Sequence, residues 1–416
     1  MRLNRRQLLG SALATGLVGP NLARAATSGA DLKFVFVYAL GGWDPTRVLA
    51  DGFDHDGVDM EPGSERVTTG DLAWIDHPDR PAVRTFFDAY GDRAVAFNGV
   101  LIRSIAHEIC QMISMTGSTS GIVPDWPAII AAAAADRYTL PHLVLNGPSY
   151  PGDLGTAVAR SGANGQLDRL LSGDILAYSD SMVSSPDRPV QDRIDRYLLG
   201  RARSAAENAR SPSARRLTQD FERATVGATG LKDYRYVVDF DSGTQLSQQI
   251  DVVVAALKAG LSRCVTVSSG FLWDTHVDND ATQSGLWNQT FQDLGTLMSK
   301  LQTTPGQSGG SLADETVVVV MSEMGRTPQL NGFGGKDHWP YSSWLAFGPG
   351  LAGGRSIGAF DDYWYGKFVD PATGEVTESG GEGLSAESVG ATLLALADID
   401  PAEHVEAAKP ITGVLA

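Results

Sequence analysis

The chain is poor in cysteine, in basic residues and in long apolar runs. Its 416 residues include two cysteines, Cys110 and Cys264, which by themselves cannot form a zinc-finger site. The two thiols can pair in an oxidising compartment or stay reduced in the core. Basic residues number 33 against 49 acidic ones, which gives a formal net charge of −16. So acidic a chain is not expected to bind nucleic acid or anionic membranes, and polyanionic substrates are disfavoured unless metal ions or arginines reverse the local field.

The first 25 residues are typical of a secretory signal peptide. A basic start with the pair Arg5 and Arg6 precedes a short apolar run, and a small-x-small pattern ends at Ala25. The arginine pair favours the twin-arginine route, so we expect the twin-arginine export machinery as a partner and a periplasmic or secreted protein after cleavage near Ala25. The alternative is an N-terminal membrane anchor. However, neither this run nor any later segment reaches the roughly 18 apolar residues of a stable membrane span.

Short apolar runs rich in β-branched and aromatic residues alternate with helical patterns along the rest of the chain. Near-continuous apolar strands of this kind are typical of a mostly parallel sheet that is buried on both faces. We therefore predict an α/β fold, with a mostly parallel central sheet and helices on both faces, in a single domain over residues 26–416. A polar stretch at about 179–228 predicts a helical excursion from that domain. The predicted strands lie at 33–40, 93–100, 141–145, 263–268, 316–321 and 343–347.

Carboxylates and histidines follow three of these strands, at the edge where a parallel sheet binds its ligands. Asp44 follows the first strand, Asp274 and His276 follow the strand at 263–268, and Glu323 follows the strand at 316–321. His338 comes after a glycine-rich loop. Crowded carboxylates repel one another unless a cation lies between them, and carboxylate with imidazole suits zinc, manganese or iron. The joint pattern predicts a divalent metal site, although each residue taken singly is also compatible with a helix cap or a packed side chain.

Two further residues are candidates for chemistry at this edge. Arg326 is compatible with a bidentate clamp on a substrate oxyanion or with a salt bridge inside its loop. His107 lies near the start of a helical stretch after the strand at 93–100, where it is a candidate nucleophile or general acid–base, or else a packed side chain. A G-x-S-x-G match at 306–310 is dismissed as a serine-hydrolase elbow, because it follows a helix and precedes a strand.

The motifs around these residues resemble those of a bacterial family, often exported by the twin-arginine route, known as domain of unknown function 1501. The resemblance is most specific in the segments SEMGRTP (322–328), GKDH (335–338) and WDTH (273–276), and it covers most of the chain after residue 25. That family is similar to the alkaline phosphatase and sulfatase superfamily. The resemblance therefore implies an alkaline-phosphatase-like core with one or two divalent metals, and it implies as ligands Asp44, Asp274, His276, Glu323 and His338.

The resemblance also implies an exported metal-dependent hydrolase of phosphate or sulfate esters, acting on a small-molecule or polymer substrate. In this reading His107 is the nucleophile or general acid–base, Arg326 holds the oxyanion, and the metal is zinc, manganese, iron or calcium. The chain departs from the enzymes of the superfamily in having Glu323 and Met324 where a paired Asp-His is expected. It also offers no unambiguous serine or threonine nucleophile. The alternative is a catalytically degenerate binding or assembly protein of the cell envelope that retains the alkaline-phosphatase-like fold.

Overall fold

The computed structural model describes residues 27–161, 167, 186–234, 237–240, 243–406 and 408–416. The predicted signal peptide at residues 1–25 lies outside these ranges, as does the beginning of the predicted helical excursion. Among the helices of the described ranges, none is both long enough and apolar enough to cross a membrane.

The strands of the described chain form one large sheet and three two-stranded ribbons. In chain order they are β1 (Lys33–Leu40), β2 (Glu65–Thr69), β3 (Leu72–Asp76), β4 (Ala94–Leu101), β5 (His142–Val144), β6 (Val158–Arg160), β7 (Cys264–Leu272), β8 (Thr316–Ser322), β9 (Gly325–Arg326), β10 (His338–Trp339), β11 (Tyr341–Phe347), β12 (Arg355–Ile357), β13 (Phe368–Val369) and β14 (Glu382–Gly383). The large sheet has the order β12-β4-β11-β8-β1-β7-β5-β6.

The central sheet is mostly parallel, as the sequence predicts. Its strand β11 runs antiparallel to both of its neighbours, β4 and β8, whereas the other neighbouring pairs are parallel. Strand β1 lies near the middle, and its residues from Lys33 to Ala39 are all buried. A strand buried along its whole length needs cover on both faces, which is why its sequence shows no polar alternation.

Helices cover the sheet in two groups. In chain order the helices of the described residues are α1 (Pro81–Tyr90), α2 (His107–Thr116), α3 (Trp126–Ala132), α4 (Arg188–Glu207), α5 (Pro212–Leu231), α6 (Leu246–Lys258), α7 (Asn279–Thr303) and α8 (Ala386–Leu396). Helices α1 and α6 pack against α7 in one group, and α2 and α3 pack against α8 in the other. Helices α4 and α5 pack mainly on each other, and they overlap the stretch at about 179–228 for which the sequence predicts a helical excursion.

Three buried tryptophans fix the loops that follow β1 and β7 against α7. The ring centroids of Trp43 and Trp287 lie 4.5 Å apart, and Trp273 packs edge-on against them at 6.0 and 5.0 Å. Gly41 lets the two loops touch, because its φ is +107° and a Cβ there would meet the backbone nitrogens of Trp273 and Asp274 at 2.7 Å. The side chains that follow these two strands are therefore held together at one edge of the sheet.

Candidate metal centre

Side chains from four parts of the chain meet at the carboxyl edge of the central sheet. Asp274 and His276 follow β7, and Glu323 follows β8 directly. His107 is the first residue of α2, which comes after β4, and His338 lies in β10 just before the antiparallel strand β11. The predicted grouping of Asp274, His276 and His338 is thus present in the structure, and His107 joins it.

The three histidines each use Nδ1 to bond a group that can only accept a hydrogen bond. A carboxylate or carbonyl oxygen at this position requires the proton to lie on Nδ1, so the neutral ring carries a lone pair on Nε2. The Nδ1 atoms of His107, His276 and His338 lie 2.6, 2.8 and 2.8 Å from Glu323 Oε1, Asp337 Oδ1 and the Ile105 carbonyl oxygen, respectively. All three imidazoles are therefore oriented by the protein.

The three Nε2 atoms converge on the carboxylate of Asp274. Those of His276 and His338 lie 3.1 Å from Asp274 Oδ1 and 3.1 Å from each other. Nε2 of His107 lies 3.4 Å from Asp274 Oδ2. Because each imidazole proton lies on Nδ1, the Nε2 atoms and the Asp274 oxygens are all acceptors, and no imidazole proton lies between them. These contacts are favourable only when a cation or an added proton lies among the atoms.

Asp274 is held in its ionised form. Burial raises the pKa of this carboxyl, but the hydrogen bond and charge of the Arg326 guanidinium oppose burial, and the pKa is lowered to about 2. Arg326 Nη2 donates to Asp274 Oδ1 at 2.5 Å. The cluster therefore combines three imidazole nitrogens with a carboxylate that stays charged at neutral pH, which is a donor set suited to zinc or iron.

Glu323 lies behind His107 rather than beside the other ligand atoms. Its side chain is fully buried, Oε1 accepts from His107, and Oε2 has no hydrogen-bond partner among the described residues. Burial raises the pKa of Glu323, and the hydrogen bond from His107 opposes this rise. A buried carboxylate oxygen without a hydrogen-bond partner is energetically costly. This oxygen is therefore available to a donor group of a bound molecule.

Arg326, predicted as an oxyanion clamp or a salt-bridge partner, is engaged by the protein itself. The side chain is fully buried, and it donates to the carbonyl oxygens of Gly41, Gly42, Trp273 and Lys336 as well as to Asp274. Because the guanidinium has no surface open to solvent, it stabilises the loops that carry the cluster and keeps Asp274 charged. The structure shows a salt bridge from Arg326 to Asp274 in the loop after β7, not one inside its own loop, and the oxyanion role stays a prediction.

Asp44 is engaged by the protein itself. Its Oδ2 lies 2.9 Å from Lys336 Nζ and 3.3 Å from Arg47 Nε, and the three side chains are fully buried. Asn279 also donates to Oδ2 at 2.9 Å, and the backbone and hydroxyl of Thr46 donate to Oδ1 at 3.0 and 2.7 Å. With protein donors on both oxygens, Asp44 does not present a free lone pair to the cluster, and its place among the ligands stays a prediction.

The side chains of a second group of possible metal ligands are also bonded to other groups of the protein. Glu61, His77 and Asp79 lie close enough together to hold an ion. However, His77 donates from Nε2 to the Pro62 carbonyl at 3.1 Å and accepts at Nδ1 from the Asp79 backbone at 3.1 Å. Glu61 pairs with the buried guanidinium of Arg80. Both nitrogens of the imidazole are used inside the protein, so this group is a structural network.

Comparison with known proteins places the chain in a family. The model of the family described as "Protein of unknown function (DUF1501)" matches residues 95–400, and the chain belongs to this family. The family that the SEMGRTP, GKDH and WDTH segments indicate is therefore confirmed. No curated protein sequence matches the chain.

Several solved structures are similar to the chain at low identity. The phosphonate monoester hydrolase of Agrobacterium radiobacter is 13% identical, with a TM-score of 0.37 over 92% of this chain and 77% of that chain. The phosphonate monoester hydrolase SpPMH from Silicibacter pomeroyi is 12% identical, with a TM-score of 0.39 over 92% and 76%. A 2-O GAG sulfatase is 9% identical, with a TM-score of 0.36 over 92% and 74%.

Proposed function

We propose that the protein is a metal-dependent hydrolase of phosphate or sulfate esters. The observation that carries the proposal is the convergence of three imidazole Nε2 atoms on the carboxylate of Asp274. A divalent cation turns this set of mutually repelling acceptors into a set of ligands. The ester class is the one implied by the sequence motifs around Asp274 and Glu323, and a cation at this position favours substrates with anionic oxygens.

We assign four ligands to the metal: His107, His276, His338 and Asp274. Each imidazole has a hydrogen-bond acceptor behind it, which is the usual arrangement of a histidine that binds a metal. In this assignment His107 is a ligand instead of a nucleophile, and Glu323 orients His107 instead of binding the metal. With a nitrogen-rich donor set, zinc or iron fits better than calcium.

The protein side chains prepare the site for an ester. A divalent cation held there would supply Lewis acidity to an ester oxygen and to an attacking water. His276 is the most exposed of the three imidazoles, with 45% of its side chain accessible, so it marks the open side of the cluster. On the buried side of the cluster, Arg326 keeps Asp274 ionised and Glu323 keeps the His107 ring in one tautomer.

The alternative, a binding or assembly protein without catalysis, is favoured by two specific observations. Arg326 is fully buried and donates only to protein groups among the described residues, and no serine or threonine hydroxyl of those residues hydrogen-bonds to the four proposed ligands. Such a protein would keep the metal to hold its loops together and would bind its ligand without turning it over. Metal binding is therefore common to both functions, and turnover separates them.

The first experiment is metal analysis of the purified protein by mass spectrometry, followed by a screen of phosphate and sulfate esters. We expect near-stoichiometric zinc or iron in the wild type and a clear loss in His276→Ala and His338→Ala. His404→Ala is the matched control, because His404 is exposed and distant in sequence from the cluster. Folded protein without metal would contradict both functions, whereas bound metal without turnover of any ester would favour the binding protein.

We also propose that the protein is exported by the twin-arginine route and acts in the periplasm or outside the cell. The support is the sequence of residues 1–25, with the pair Arg5 and Arg6. Fractionation of cells expressing the full chain should find the wild type outside the cytoplasm. A variant with both Arg5→Lys and Arg6→Lys should stay in the cytoplasm, and equal export of the two would contradict this route.

A further inference from the structure

Large apolar side chains are exposed on the same chain segments that carry the proposed ligands. Leu272 is 70% exposed and Phe333 is 78% exposed, and Ile105 and Val277 are each more than half exposed. Single exposed apolar residues are ordinary on protein surfaces, but a group of them around one site marks a binding surface. We call these four residues the apolar rim.

The apolar rim is tied to the cluster by short connections. Val277 follows His276, and Leu272 precedes Asp274 by two residues. The carbonyl of Ile105 accepts the hydrogen bond from His338 Nδ1. Leu272, Val277 and Ile105 therefore lie within two residues of a proposed ligand or of a group that orients one.

Phe333 is held outward by a well-bonded turn. The side-chain oxygen of Asn331 accepts from the backbone nitrogens of Phe333 and Gly335 at 2.9 and 3.1 Å. The side-chain nitrogen of Asn331 donates to the His276 carbonyl at 3.0 Å, which fastens the turn to the cluster. The backbone at Phe333 is thus fastened beside His276, and the ring itself is exposed next to the cluster.

The ligand-bearing segments offer no free positive charge to a substrate. In residues 101–109, 272–279 and 322–339 the basic residues are Arg103, Arg326 and Lys336. Arg326 and Lys336 are fully buried, and Arg103 pairs with Glu387. Glu108 and Asp278, in contrast, are exposed on the same segments. An organic group that carries further negative charges would be repelled here, whereas an uncharged apolar one would be attracted.

We propose that the substrate of this site is an ester whose organic group is apolar, and that the apolar rim binds that group. The inference rests on the proposed hydrolase function, and it narrows the substrate from esters in general to those of alkyl or aryl alcohols. Burial of each methylene against the rim contributes to binding, up to about four-fold in affinity where a methylene is fully covered.

Two homologous series of esters test the inference with the metal-loaded protein. Alkyl 4-nitrophenyl phosphates keep one leaving group and one charge while the alkyl chain grows from methyl to hexyl, and n-alkyl sulfates provide the same comparison for sulfate. We expect kcat/KM to rise at least about 10-fold from the shortest to the longest member of the series that is turned over. Leu272→Ser and Phe333→Ser should remove most of this rise, so that kcat/KM becomes nearly independent of chain length.

Leu217→Ser is the matched control, because Leu217 lies in α5 and is 71% exposed, almost the same as Leu272. This variant should keep the full dependence on chain length. Turnover without any dependence on chain length, or a dependence that persists in both rim variants, would overturn the inference and leave the proposed function intact. No turnover in either series would count against the proposed function itself. The inference would also be overturned if the rim bound neutral phosphatidylcholine vesicles, or mediated self-association, while turnover showed no chain-length effect. The rim would then bind a membrane or a second copy of the chain.

Discussion

The variant Asp44→Asn tests whether the first carboxylate at the sheet edge serves the fold or the metal. Asp44 is the counter-ion of two buried cations, Lys336 and Arg47. Burial raises the pKa of Asp44, but the attraction of these two cations outweighs it and holds the pKa well below the usual range of an aspartate. If this is its role, neutralising Asp44 should destabilise the protein and leave the metal in place.

The magnitude follows from what the substitution leaves unpaired. Without the charge of Asp44, the buried ammonium of Lys336 has no ion-pair partner among the described residues, and Arg47 retains only Asp280 at 2.6 Å. Removal of one partner from a buried ion pair costs about 3–5 kcal/mol, because the other charge remains in a medium of low polarity. Adding Lys336→Met removes the unpaired ammonium, so the double variant should recover about 2 kcal/mol of the loss.

Urea unfolding of the metal-free protein measures this change without the mass-action contribution of bound metal. We expect Asp44→Asn to have a lower midpoint, an unchanged m-value and, after reloading, the same metal-to-protein ratio as the wild type. Asp274→Asn is the paired comparison and should lose the metal. The reasoning is refuted if Asp44→Asn loses its metal while its free energy of unfolding changes by less than about 1 kcal/mol; Asp44 would then belong among the ligands.

Three other groups give measurable outcomes. Glu323→Gln keeps an acceptor for His107 Nδ1 but removes its charge, so metal affinity in a chelator competition should fall about 10–100-fold, and unchanged affinity would contradict the orienting role. Burial lowers the pKa of His142 from 6.5 to about 3, so the unfolded chain takes up a proton that the folded chain does not. The free energy of unfolding should therefore fall by up to about 5 kcal/mol as the pH drops from 6.5 towards 3, and His142→Gln should flatten this dependence in acid titrations followed by circular dichroism. Cys110 and Cys264 are free, and burial raises the pKa of both thiols, so a thiol reagent should react with them only after unfolding.

The sheet could be predicted from the sequence because its strands are buried on both faces and read as unbroken apolar runs. The antiparallel direction of β11 could not, since it depends on the connection that precedes it. The chain leaves β8 at the carboxyl edge and pairs β9 with β10 there, so that it enters β11 from the same edge and must run back. This reversal brings His338 to the cluster. The local sequence around residue 338 does not predict the reversal of the chain direction.

The members of the candidate site differ in how far the sequence could reveal them. Asp274 and His276 directly follow a parallel strand, and this position alone places them at the binding edge. The approach of His107 depends on the order of strands in the sheet, because β4 lies two strands away from β8, with β11 between them. Asp337 directly precedes His338 in the sequence, but its role in orienting His276 becomes visible only when the loop is folded.

The expected number of metal ions depends on how many carboxylates at the sheet edge are already paired with basic side chains, which the sequence alone does not determine. Three carboxylates follow neighbouring strands, and their repulsion requires positive charge at that edge. The structure supplies part of it from within the chain, since Lys336 pairs with Asp44 and Arg326 pairs with Asp274. In sequence these two cations lie in a glycine-rich loop, where charged residues are usually solvated; their burial is a property of the fold. With two carboxylates already paired, the remaining demand comes from the second oxygen of Asp274 and the three imidazole lone pairs. One divalent cation would meet that demand, so metal analysis should approach one ion per chain rather than two.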